Sequence, residues 1–274
     1  MTRKRLKQFI WLLLVIVIIA TSFLTLFHPN NSHKKINSYK AELINSHQLT
    51  IGLEGTYAPY SYRKNGKLAG FEVDLGKKIA KTLGLKAIFI PTKWDGLVAG
   101  LGSKKFDIIL NDITITPERK KSFLFSIPYI YSKTVLITKK NNQSIKNLKD
   151  IKGHKFAEGT GTNNELVAKK FKAKIIPSGD FVTSLSLIRQ GRVKGTINAI
   201  DAWKSYAKNN SIKGLKYQVI PPKEEKPAKV SALLSKKSPK LKNEVNLAIK
   251  KLRSQGTLKK LSKRYFNSDI TKNN

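Results

Sequence analysis

From residue 49 onward the chain alternates short apolar runs with amphipathic stretches, and that alternation restricts it to a small set of α/β architectures. Residues 49–53, 86–90 and 106–110 are strand-length runs rich in Ile, Leu and Phe, and 68–71 is a shorter apolar run after the turn at Asn65-Gly66. Between them, 74–83 carries Leu75, Ile79 and Leu83 at helical spacing and stops at Gly84. Residues 94–101 place Leu97, Val98 and Leu101 on one side of a second helix. The pattern repeats, with strands predicted over 135–138, 155–157, 174–176 and 195–197, and helices over 163–171, 181–190 and 202–208. Pro221-Pro222 and Pro227 interrupt it; a strand at 230–234 and helices at 239–253 and 257–266 follow. Such alternation predicts parallel-rich sheets. The last two helices need an apolar surface to cover, and the first unit offers it. The expected fold is α/β and bilobal, with two crossings between the lobes and a cleft between them. Lobe 1 is discontinuous, 49–135 plus 226–270, and lobe 2 spans 136–225.

The N-terminus is of another kind. Arg3, Lys4, Arg5 and Lys7 precede residues 9–27, which contain no charge. At about 1.5 Å per residue these would span roughly 28 Å as a helix, close to the hydrocarbon thickness of a bilayer. Basic residues before such a run predict a cytoplasmic N-terminus and an exported remainder. Residues 1–28 therefore read as a signal or anchor. Either it is cut near Ala20-Thr21-Ser22 and the protein is secreted, or it stays as a signal anchor holding the protein on the outer face of the cell membrane. Residues 29–48 are polar and read as a linker with a short helix near 36–44.

Charge and composition then exclude several functions. Lys and Arg total 53 against 17 acids, a net charge of +36. A balance of that kind attracts polyanions. No recognition helix, zinc finger or stacking sheet accompanies it, so no nucleic acid is expected; an acidic envelope or a plain solvated surface fits better. There is no cysteine, which rules out disulfides, thiolate catalysis and a lipid anchor on an N-terminal cysteine. The four histidines are scattered, so no metal site is expected. Gly159-Thr160-Gly161-Thr162 lacks the following Gly-Lys-Ser/Thr of a nucleotide phosphate loop, and no cofactor is expected.

Two loops after strands carry the chemistry. Asn111 to Arg119, N-D-I-T-I-T-P-E-R, sets hydroxyls and amides beside one arginine, whose planar fork suits a carboxylate. Residues 54–60, E-G-T-Y-A-P-Y, add aromatic faces and an acid. Neither supplies an evident nucleophile or metal cage, so capture of a small zwitterion is expected rather than catalysis. Asp74 and Asp107, set in apolar words, read as residues that cap helices or tie loops.

At this point the chain resembles the extracellular solute-binding proteins of family 3, the polar amino-acid-binding proteins of ABC importers. The supporting words are E-G-T-Y-A-P-Y (54–60), G-F-E-V-D-L (70–75), W-D-G-L (94–97), F-D-I-I (106–109), T-I-T-P-E-R (114–119), F-S-I-P-Y (125–129), Q-G-R-V (190–193) and G-T-L-K-K-L-S-K-R-Y-F (256–266). K-W-D-G-L-V-A-G-L, Asn111 ahead of T-I-T-P-E-R, and the ending Y-F-x-x-D-I-T are similar to the cystine-binding branch. The resemblance implies the type II periplasmic-binding fold, binding of cystine or another polar amino acid, a permease partner and a monomer. It implies that Arg119 and Thr114 hold the ligand carboxylate, helped by the turn at Gly161, Thr162 and Asn163. Tyr57 and Trp94 would sandwich the ligand, and Glu54 and Asn111 would meet its polar parts. One position departs from the family: Ala199 stands where an aspartate usually holds the ammonium, so Glu54 or Asp201 would substitute, or the ligand is not a standard amino acid. Two other readings stay open: a dehydratase-type enzyme on the same fold, and a membrane-anchored adhesin or sensor.

Overall fold

The computed structural model describes residues 38–273. The signal or anchor reading of 1–28, and residues 29–37 of the 29–48 linker, lie outside the described residues. Among the described residues no helix is long and apolar enough to cross a membrane. A single 3-10 turn, Tyr39–Glu42, is all that is described of the short helix expected near 36–44.

The first run of elements comprises β1 (Gln48–Leu53), β2 (Tyr62–Lys64), β3 (Lys67–Ala69), α1 (Phe71–Thr82), β4 (Lys86–Pro91), α2 (Trp94–Gly102), β5 (Ile108–Ile109), α3 (Pro117–Ser122), β6 (Phe123–Phe125) and β7 (Ile130–Ser132). The second comprises β8 (Thr134–Lys139), β9 (Lys155–Glu158), α4 (Asn163–Lys170), β10 (Lys174–Pro177), α5 (Phe181–Arg189), β11 (Gly195–Ala199), α6 (Ile200–Asn209) and β12 (Leu215–Val219). The chain then returns through β13 (Ala228–Val230) to β14 (Leu233–Ser235), α7 (Pro239–Ser254) and α8 (Thr257–Phe266).

Two five-stranded sheets result, ordered β4-β1-β5-β14-β6 and β10-β9-β11-β8-β12. Each is mixed rather than parallel-rich. β1 runs parallel to β4 and β5, and β9 parallel to β10 and β11. β14 and β8 are antiparallel to both of their neighbours. β7 and β13, the outgoing and returning crossings, pair with each other, Ile130 opposite Val230. The strands that escape the sequence reading, β2, β6, β7 and β12, are short or marginal; β2 and β12 are mostly exposed and so carry little burial pattern. The run read as one strand at 230–234 is broken between β13 and β14, because its first part serves the crossing and its second enters the first sheet.

Both sheets are covered on both faces, as strands followed by helices require. On one face of the first sheet, Leu49 and Ile51 pack with Phe71, Leu75 and Ile79 of α1 and with Leu241, Val245 and Ile249 of α7. Leu97, Leu101 and Phe106 cover the other face. Along β8, Val135 and Ile137 face one cluster while Leu136 faces the other, the period of two expected of a strand. Asp107 ties loops, as its setting suggests: its carboxylate accepts the Ile44 and Thr50 N–H groups at 2.8 and 2.7 Å. Asp74 accepts the Tyr265 hydroxyl at 2.7 Å, fastening α1 to α8.

Helix α1 begins three residues earlier than helical spacing alone suggests, at Phe71 rather than residue 74. Its first free N–H groups find partners in the aromatic loop: Phe71 and Glu72 donate to the Pro59 and Tyr60 carbonyls at 3.0 and 2.9 Å. Gly70 makes this approach possible, with φ of 128° and a position where a Cβ would stand 2.2 Å from the Tyr60 carbonyl oxygen. Gly70→Ala is therefore expected to lower stability by about 2 kcal/mol or more, from strain and steric overlap together. Urea denaturation of the two proteins measures this, and an unchanged midpoint would refute it.

Candidate functional site

The carboxyl ends of β1, β5, β9 and β11 all open on one cavity of about 370 Å³. Its walls come from both α/β units, the usual place for a ligand in such sheets. On the first wall, β1 ends at Leu53 and Glu54 follows. Glu54 N–H donates to Asn111 Oδ1 at 2.8 Å, and Asn111 Nδ2 donates to Glu54 Oε2 at 2.7 Å. This reciprocal pair locks the loops after β1 and β5 together. Tyr57 and Ser61 exchange backbone hydrogen bonds at 2.7 and 2.9 Å, so the aromatic loop is a closed turn. The Tyr57 ring stacks on Tyr60, centroids 5.2 Å apart.

The T-P-E-R word folds as a capped helix start. Thr116 is the N-cap and accepts the Arg119 N–H at 3.2 Å, while Pro117 takes the first helical position. This geometry turns the Arg119 side chain back over its own loop. Its guanidinium donates to the Thr114 carbonyl at 3.0 Å and lies 5.6 Å from the centre of the Trp94 ring. Thr114 is in turn held on the returning crossing by a bridge to Val230.

On the second wall, Thr162 caps α4, accepting the Glu165 N–H at 3.1 Å and donating to the Gly159 carbonyl at 2.8 Å. Three hydrogen bonds cross the cleft. Arg119 donates to the Gly161 carbonyl at 2.9 Å, Trp94 Nε1 to the Thr160 carbonyl at 2.8 Å, and the Tyr57 hydroxyl to Asn198 Oδ1 at 2.7 Å. The two walls are thus drawn together over the cavity.

The cavity has the opposite electrostatic character to the chain as a whole. Glu54, Asp112, Glu158 and Asp180 line it, against Arg119 as its single Lys or Arg. Burial raises the Glu54 carboxyl, the Asn111 hydrogen bond works against the rise, and Asp180 and Asp95 add to it. Burial also pushes Glu158 well above the carboxylate range, although it accepts the Ile197 N–H at 2.7 Å. Asp112 is pushed well up by burial and then by Glu72 and Asp201, with Arg119 opposing. Burial draws the Arg119 guanidinium down, and Asp112 counters it. Behind this wall, Glu72 is fully buried and accepts the Asp112 N–H at 2.7 Å and the Tyr129 hydroxyl at 2.5 Å. Burial raises its carboxyl to about 7.

Of the expected ligand residues, Glu54, Tyr57, Trp94, Asn111, Thr114, Arg119, Thr162 and Asn163 line this one cavity. Gly161 and Asp201 are not among its lining residues. The Gly161 N–H is taken by Glu165 at 2.7 Å, and its carbonyl by Arg119. Asp201 is buried on α6 and accepts the Ser132 hydroxyl of β7 at 2.9 Å. Ala199 ends β11 and brings no charge to the wall. The sequence reading passed over Glu158, Asp180 and Asn198 as lining residues, and considered Asp112 only as a cleft acid that, with Glu54, an enzyme on this fold would need. Glu158 had a signal, an acid closing the apolar strand K-F-A-E; Asn198 had none beyond its place at a strand end. Among the described residues no group of three or more His, Cys, Asp or Glu could hold a metal.

Comparison with known proteins agrees with this architecture. Residues 49–268 match the family model of the bacterial extracellular solute-binding proteins, family 3. The chain is 38% identical over 253 residues to a probable amino-acid ABC transporter-binding protein of Haemophilus influenzae, covering 92% of this chain and 95% of that one. It is 36% identical over 226 residues to the L-cystine-binding protein TcyA of Bacillus subtilis, covering 82% and 83%. Among solved structures, the L-cystine solute receptor of Neisseria gonorrhoeae in its unliganded open conformation superposes with a TM-score of 0.59 at 35% identity, over 86% of this chain and 100% of that one.

The buried carboxyls set a pH dependence. Between 4.5 and about 7 the folded Glu72 keeps a proton that the unfolded chain has lost. Its contribution is therefore complete below the lower value and is lost as pH rises through the upper one, on the order of 3 kcal/mol at most. Glu72→Gln should flatten the fall in melting temperature across that interval. A variant whose melting temperature falls as steeply as the wild type's would show that Glu72 ionises as freely in the fold as in the unfolded chain.

Proposed function

The chain belongs to the bacterial extracellular solute-binding proteins of family 3, and from that premise we propose that it captures a small zwitterionic amino acid, cystine or another polar one, in the cavity between its lobes and delivers it to an ABC importer permease. The observation that carries this reading is Arg119: a half-buried guanidinium on the cavity wall, under the Trp94 ring, with a hydrogen bond to each side of the cleft. A carboxylate there would meet Arg119 with the Thr114 hydroxyl and Asn163, while Thr162, its hydroxyl held by the Gly159 carbonyl, shapes the helix start that presents Asn163. Tyr57 and Trp94 would flank the ligand body, and the Glu54–Asn111 pair would take a polar end. Gly161 and Asp201 would act from behind the wall, the one as an acceptor for Arg119, the other as a brace on β7. The names of the relatives, which include amino-acid ABC transporter and L-cystine binding, support the ligand class.

Closure is the working step. Lobe 1, taken as 49–135 with 226–270, and lobe 2, taken as 136–225, would hinge on the β7–β13 pair. The gonococcal receptor is known in an open conformation, and its modest superposition over its whole length fits a different lobe angle. A ligand touching both walls favours the closed form by its differential affinity, and the permease would read that form. The basic and apolar residues 1–28 support tethering at the outer face of the cytoplasmic membrane through the 29–48 linker, or secretion after cleavage. The protein acts as a monomer and a carrier, not an enzyme: the cavity acids stand without a partnered nucleophile, and its relatives are named for binding.

Thermal unfolding against a panel of amino acids that includes L-cystine tests the proposal. A cognate ligand at about 100 times its Kd adds roughly 2.7 kcal/mol to the folded state. The expected result is a clear upward shift with one ligand class, lost in Arg119→Ala. No shift with any amino acid would overturn it.

A further inference from the structure

We propose that Asp112 holds the ammonium of the ligand, so that Asp112 and Arg119 together grip the two charged ends of one α-amino acid. The inference rests on the cavity being an amino-acid site and names the residue that would complete it.

The two groups stand seven positions apart, Asp112 in the loop after β5 and Arg119 in the first turn of α3 that this loop leads into, and both line the cavity. Each senses the other's charge, yet they form no ion pair; the ion pairs among the described residues lie elsewhere. The carboxylate and ammonium of an α-amino acid hang from one carbon. The groups that hold them must therefore be neighbours, held apart by enough to admit the ligand. Asp112 and Arg119 are close enough to feel each other's charge, line the same cavity and leave each other unpaired.

The other cavity acids are engaged. Glu54 accepts from Asn111, Asp180 caps α5 through the Thr183 N–H at 2.7 Å, and Glu158 accepts the Ile197 N–H. Asp201 is tied to Ser132 and lies behind the wall. Asp112 differs. Among the described residues the Tyr60 hydroxyl is the single side-chain donor that acts on its carboxyl, and its buried Oδ1 is met by no N–H group and no cation. Glu72 and Asp201 add negative charge to its setting, and Arg119 is the cation that opposes them.

A buried carboxylate in that setting is costly until a cation arrives. The backbone is fixed to present it: Asp112 has φ of 50°, in the left-handed region, and its N–H is anchored on Glu72. Ala199, at the end of β11, supplies no charge from the opposite wall. The acid that would neutralise the ammonium thus comes from lobe 1, as does the arginine.

The test uses the full chain with two probe pairs, each an amino acid and its des-amino analogue: L-cystine with 3,3′-dithiodipropionate, and L-arginine with 5-guanidinopentanoate. Titration calorimetry should find that the wild type binds at least one amino acid and prefers it strongly to its analogue. Asp112→Asn should weaken that amino acid by about 10- to 100-fold and erase the preference, while leaving the analogue's affinity within a few fold. Glu118→Gln, which removes an exposed charge from the first turn of α3, should change neither. Asn and Gly both tolerate the backbone conformation at 112, so Asp112→Gly serves as a second variant, and the melting temperature of both without ligand should be no lower than wild type. An Asp112 variant that keeps the preference would overturn the assignment and leave the amino-acid reading standing. A wild type that binds neither of these, and none of the amino acids of the thermal-unfolding panel, would overturn both.

Discussion

One buried carboxyl, Glu72, holds the binding loop, the first helix and the crossing in register. It sits in the first turn of α1, is wholly buried, and accepts both the Asp112 N–H and the Tyr129 hydroxyl. Tyr129 immediately precedes β7, the outgoing crossing, and Asp112 opens the loop that leads to Arg119. A single acid without a cation beside it is an expensive anchor, and its rise to about 7 records that cost. In return the first helix, the loop after β5 and the segment leading into β7 are tied to one carboxyl. The capped start of α1 depends on the same neighbourhood, because the aromatic loop supplies its first hydrogen-bond acceptors.

The site built on that anchor inverts the chain's charge. A molecule of net +36 encloses a cavity with four carboxyls and one guanidinium. Charged residues line it, but the fold places aromatic rings and backbone carbonyls around the arginine rather than a fixed counter-ion. Cross-cleft bonds from Arg119, Trp94 and Tyr57 share the closing task with any ligand. The residues proposed to bind also shut the cleft, so occupancy and closure are linked by the same side chains. The basic surface is then free to serve another purpose, such as attraction to an acidic envelope.

Much of this was legible in the chain. Thr-Pro-Glu-Arg announces an N-cap, a first-turn proline and an arginine brought back over its loop, and the structure builds that motif. Trp94 at a helix start, and the loops after β1, β5 and β9, were expected at the cleft and line it. Strands whose pattern was weak were not legible: β12 is an exposed edge, and β7 gains its meaning only by pairing with β13, roughly a hundred residues away. Asp201 and Asn198 show the limit most clearly. They stand three residues apart, Asn198 at the end of β11 and Asp201 in the first turn of α6, yet Asn198 is bonded to Tyr57 across the cleft while Asp201 turns to β7.

The sequence by itself determined the alternation of strands and helices, the two covered sheets, the family, and the arginine-centred loop, because these depend on local pattern and capping chemistry. Only the tertiary structure decided which acids face the cavity and which brace it, where the parallel order gives way to antiparallel strands, and how far α1 extends. Those outcomes depend on contacts between residues far apart in the chain. Such contacts arise when packing turns a side chain inward or outward, and no local pattern records the direction it takes.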